Sequence, residues 1–208
     1  MPAAPPRSIV PAILASAAIA LAINLLRLWG ELQGWNPFWF NRAAGGGGSP
    51  LGISWLVIPI GFWFGRRLAT AGHRPVSITR AIFLPALGIA LMFGVFALSM
   101  KVTDVWRTRA IVINTGALLC GLLALLAWKR AYFVNLSAGI LARIPVAIIQ
   151  FVAMDKSWDV HFAKGPPEAP AADVPFMLTL AQCVMWPFGF TVLVGGLCAG
   201  IGAATVRR

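Results

Sequence analysis

Arg143 is the residue in this chain whose position most demands chemistry. It lies within the apolar run 131–154, two residues before Pro145. A guanidinium at mid-membrane costs about 2.5–3.5 kcal/mol on insertion scales, so it must find polar partners or face a polar cavity. None of the six acidic residues falls inside an apolar run, so an ordinary intramembrane carboxylate is not that partner. Asn135, Gly139, Arg143, Ala147 and Gln150 recur at steps of three and four, which makes one small or polar stripe turned away from lipid. Pro145 has no N–H to donate and frees the carbonyl of Leu141 as an acceptor. An arginine, a released carbonyl and a kink side by side are the ingredients of broken helices at transport sites. The rival reading satisfies Arg143 with carbonyls and amides of neighbouring helices.

Four further polar residues, Asn24, Asn114, Gln150 and Gln182, fall in the outward half of their runs once the topology below is assigned. With Arg143 as floor they outline a pocket suited to an anionic or carbonyl-bearing ligand. Interhelical hydrogen bonds, worth about 0.6 kcal/mol on average, account for the same residues without a ligand. Asp155, Asp159 and His161 form the one acid–histidine grouping. No Ser or Cys nucleophile motif accompanies them, and one His with two Asp is a poor metal set.

The glycine run 45–48 lacks the Lys-Ser/Thr of a phosphate loop and reads as a flexible segment. Both histidines lie outside the apolar runs, which argues against a haem held between helices. Cys120, Cys183 and Cys198 sit inside apolar runs and behave as small hydrophobes. No cofactor and no metal is expected.

These residues are carried by an extremely apolar chain: 59% hydrophobic and 11% charged, against about 25% charged in soluble domains. Several runs approach the ~18 apolar residues of a spanning helix. The expected fold is all-α, a single membrane domain of six spans at about 8–29, 51–68, 81–100, 110–128, 131–154 and 174–206. The N-terminal residues mimic a secretory signal, but the length of the run that follows favours an uncleaved first span. Arg27 and Glu31 at its far end share a helix face, as an ion pair would. Pro59 is placed at the middle of the second span, and Lys129-Arg130 doubles as the hairpin between the fourth and fifth.

Charge then orients the bundle. Arg7, Arg66, Arg67, Arg74, Arg80, Lys129, Arg130, Arg207 and Arg208 fall on the side of the termini, with no acid. All six acids share the opposite loops, 30–50, 101–109 and 155–173, with six cations. This is the positive-inside pattern, with both termini cytoplasmic. The net charge of +11 is therefore a topology signal and excludes nucleic acid as a partner, while anionic lipid headgroups are expected to bind.

Gly196 and Gly200 make a small-residue face open to bundle packing, to a protein partner or to a second copy. The leading expectation is a non-catalytic protein of the bacterial inner membrane, a subunit, scaffold or assembly partner. A small transporter or receptor binding its solute near Arg143 is the alternative, and a membrane-embedded enzyme using Asp159 and His161 comes third.

Overall fold

A computed structural model describes residues 8–46 and 48–207. The expectations that fall on Arg7, Gly47 and Arg208 lie outside them. Among the described residues, six helices longer than one turn run in chain order: α1 (Val10–Leu32), α2 (Val57–Thr70), α3 (Ile78–Val102), α4 (Trp106–Ala127), α5 (Lys129–Asp155) and α6 (Val174–Ala204). Among the described residues there is no strand. Five of the helices, all but α2, are long and apolar enough to cross a membrane.

The second element departs most from expectation. Only 14 residues are helical, about 21 Å at 1.5 Å per residue, against a hydrocarbon core of about 30 Å. The reason is local. Pro59 cannot donate a hydrogen bond, and a start at Val57 puts it in the first turn, where no donor is needed. So Pro59 opens this helix and does not sit at its middle. The preceding residues stay non-helical, and the carbonyl of Leu51 is taken by Arg27 at 3.0 Å. Irregular backbone at membrane depth is tolerated where it is enclosed by protein or lines a cavity.

The α4–α5 connection also differs. Lys129 and Arg130 are the first residues of α5, and the corner is Trp128 alone, in an extended conformation. Trp128 is buried with Phe64, Leu68, Ala131 and Ala199.

Helix α6 is the central element, packed against α2, α3, α4 and α5. Small residues let it approach its neighbours closely. A Cβ on Gly65 would lie 2.0 Å from the carbonyl oxygen of Ala199, and one on Gly61 2.6 Å from that of Gly195. Their order shows that α2 and α6 run parallel. Gly196 and Gly200 are buried against α3 and α4, where their nearest neighbours are Ala124, Pro85, Ala81 and Ile82. Of the uses open to this small-residue face, packing within the bundle is the one these contacts display.

Part of α6, Ala181–Thr191, is π-helical and contains Pro187. A proline inside a helix removes a rung from the ladder, and wider π turns are one way to absorb that loss. Asn114 on α4 supports this stretch: its Oδ1 accepts from the backbone N–H of Met185 at 3.0 Å.

Candidate functional site

Charge gathers at the two ends of the bundle. At one end Arg66 bonds Thr205, Arg74 bonds the carbonyls of Val206 and Arg207, and Arg130 meets His73. At the other end the loops 33–56 and 156–173 meet, joined by Arg42–Asp159 at 3.2 Å. Their union rests on Glu31, which has no exposed surface. Its Oε1 accepts from Arg27 Nε at 2.8 Å and meets His161 Nδ1 at 2.6 Å, while Oε2 accepts from the His161 backbone N–H at 2.9 Å. The expected Arg27–Glu31 pair is present and buried.

Gly46 of the glycine run is drawn into the same knot. Arg27 donates to the carbonyls of Leu51, Asn41 and Gly46. Gly46 has φ +79°, and a Cβ there would fall 2.2 Å from the Arg27 guanidinium. Glycine is required both for the left-handed backbone and for this approach. Of the run 45–48, Gly45 and Gly46 lie in a short 3-10 turn (Ala44–Gly46) beside Arg27.

His161 therefore bonds neither Asp155 nor Asp159. Asp155 pairs with Lys156 at 3.3 Å, and Asp159 with Lys164 at 2.5 Å. The Lys164 bond and charge, helped by Arg42, hold Asp159 below the usual carboxylate pKa. Burial pushes the His161 imidazole below its ordinary pKa; the Arg27 charge adds to this and the Glu31 carboxylate opposes it. Glu31 is already balanced by Arg27, so a neutral imidazole donating through Nδ1–H fits the cluster best. Among the described residues no three His, Cys, Asp or Glu side chains come together as metal ligands.

Beneath this knot lies a cavity of about 170 Å³. Arg143, Asn24, Gln150 and Gln182 all line it, so four of the five residues singled out in the sequence converge. The stripe on α5 faces inward as expected, with Asn135, Gly139, Arg143 and Gln150 buried. Asn114 is the exception. It is buried on α4 and spent on the π stretch, donating to the Ala110 carbonyl and accepting from Met185.

Arg143 is 7% exposed. Its Nη1 donates to Gln182 Oε1 at 3.2 Å, and its guanidinium carbon stands 4.3 Å from the centroid of the Trp186 ring. Residues four apart share a helix face, so α6 presents Gln182 and Trp186 together. Among the described residues no carboxylate lies within ion-pair distance of Arg143. Two buried amide donors are also unspent: Asn24 Nδ2 and Gln150 Nε2 have no partner among the described residues. A third, Arg109 Nε, is outside the cavity walls.

Other wall residues were not foreseen. Trp186 could have been suspected from its spacing to Gln182. Ile53, His161, Phe162 and Lys164 come from loops whose approach no periodicity signals.

Electrostatically, the cavity wall carries Arg27, Arg143, His161 and Lys164. Arg27 is balanced by Glu31 and Lys164 by Asp159, which leaves Arg143 as the uncompensated charge. Burying a charge or a donor without a partner is costly, so the arrangement favours an occupant with acceptor oxygens. Comparison with protein-family models, with curated proteins and with solved structures finds no match, and the functional reading rests on this geometry.

Proposed function

We propose that the protein is a multi-pass membrane receptor or carrier that binds a small anionic or carbonyl-bearing solute at Arg143. One observation carries the reading: a buried guanidinium without a carboxylate lines a cavity whose walls hold two unspent amide donors. The test is calorimetric titration of the purified chain in mild detergent with acetate, benzoate, inorganic phosphate and benzamide. At least one should bind, and Arg143→Gln should weaken that binding about 10–100-fold, the value of a charge-assisted hydrogen bond of about 1.5–3 kcal/mol. Binding of none of the three anions nor of the carbonyl-bearing benzamide, or binding indifferent to the substitution, overturns the proposal.

In this reading α2 completes a sixth crossing, with the loop residues before it enclosed by the bundle. The positive-inside rule then puts the termini in the cytoplasm and the cavity towards the outside of a bacterial inner membrane. A cavity lined by the proline-containing α5 and the π-helical stretch of α6 is comparable to transport sites built on irregular helices.

The second reading, a subunit or scaffold of a larger complex, is favoured by α3. Its side chains Phe83, Leu87, Leu91, Phe93, Phe96 and Leu98 are exposed along much of its length. Lipid tails cover such a face as well as a protein does, so it carries less than the cavity. Anionic headgroups remain the lipid partners expected at the basic end.

A further inference from the structure

The cavity's charge balance, volume and wall chemistry together narrow the class of occupant. We infer that the site takes a small monocarboxylate with an apolar body, of about the size of a benzene ring. The inference rests on the anion-binding reading above and adds to it the valence, size and polarity of the solute.

Valence follows from the pairing of the wall charges. Arg27 and Lys164 each have a carboxylate, at 2.8 and 2.5 Å. Arg143 has an amide oxygen and an aromatic face instead. One negative charge neutralises the site. A second, as on succinate or on phosphate at neutral pH, would be buried without a partner.

Head-group shape follows from the donors. Arg143 presents a planar fork that matches the two oxygens of a carboxylate. Asn24 and Gln150, 4% and 1% exposed, line the same cavity with amide donors that no other described group satisfies.

Size and polarity follow from the remaining walls. A volume of about 170 Å³ is close to the ~150 Å³ of an apolar cavity known to accept benzene. Ile53, Val146, Phe162, Leu178 and Trp186 make the apolar side. A sugar or an amino acid would bury hydroxyls or an ammonium against these apolar groups, which is costly.

The experiment is calorimetric titration of the full chain in mild detergent with benzoate, butanoate, acetate, succinate, inorganic phosphate and benzamide. Benzoate and butanoate should bind at least tenfold more tightly than succinate, phosphate or the neutral benzamide. Leu178→Trp, at a half-buried wall position, fills the apolar side. It should weaken benzoate at least tenfold and leave acetate within about threefold, and it keeps the test open should Arg143→Gln fail to fold. If succinate or phosphate binds as tightly as benzoate, and Arg143→Gln abolishes that binding, the class is wrong while the anion site stands. If neither an anion nor benzamide binds, or Arg143→Gln changes nothing, both readings fail together. Equal loss of acetate and benzoate in Leu178→Trp also overturns the apolar-body assignment.

Discussion

Glu31 joins three segments through one carboxylate: Arg27 on its own helix, His161 from the loop after α5, and through Arg27 the carbonyls of 41, 46 and 51. Glu31→Gln leaves the Arg27 guanidinium buried without a counter-charge. The expected loss is about 3–5 kcal/mol, the cost of breaking a buried pair from one side. It would be read as a large drop in the melting temperature of the detergent-solubilised protein. Replacing both partners, Arg27→Met with Glu31→Leu, should cost less than Glu31→Gln alone, because no charge is then stranded.

His161 gives this cluster a pH dependence of known sign. Its folded pKa is depressed, chiefly by burial, so the unfolded chain takes up the proton first as pH falls. Stability is fully present above the ordinary imidazole pKa of about 6.5 and declines as pH falls below it towards the folded value. Melting temperatures measured from pH 8 to 5 should show this decline, and His161→Gln should flatten its upper part. An unchanged profile in that variant would assign the dependence to other groups.

Among the helices, packing distance is set by where side chains are missing. α2 lies against α6 because Gly61 and Gly65 bring their backbone to within touching range of Gly195 and Ala199. In Gly65→Ala the new methyl would sit 2.0 Å from a carbonyl oxygen, and the helices must part. Overpacking of this kind costs about 1–3 kcal/mol. Gly94→Ala on α3 is the matched control, since nothing lies within 4 Å of its Cβ position. It should be neutral or stabilising by up to about 1 kcal/mol, the helix-propensity gain. Thermal unfolding of both variants in one detergent separates the two outcomes, and an unperturbed Gly65→Ala would contradict the close α2–α6 contact.

The bundle as a unit separates its charges between two ends, and that separation predicts its orientation. On a cysteine-free background, Phe38→Cys and Ala171→Cys should react with a membrane-impermeant maleimide added to intact cells. Val76→Cys, fully exposed in the α2–α3 turn, should react only after permeabilisation. The reverse pattern would invert the assigned orientation. Labelling of positions 38 and 76 from one side would mean that α2 does not cross, leaving the five long helices as the spans.

The letters of the chain were enough to establish an all-helical membrane protein, because apolar run length and charge distribution are one-dimensional quantities. They also carried the Arg27–Glu31 pair and the inward stripe through Arg143, since steps of three and four place residues on one face of a single helix. Which faces meet was decided in three dimensions. Asn114 carries the same chemistry as Asn24, yet packing assigns it to the backbone of the π stretch and keeps it out of the cavity. His161 finds Glu31 across 130 residues, a separation over which no periodicity survives. The start of α2 at Val57 follows from Arg27 claiming the carbonyl of Leu51 and from Pro59 needing a first turn. Helical periodicity tells a residue which way it faces; the cavity exists because glycine contacts and one buried carboxylate decide what it faces.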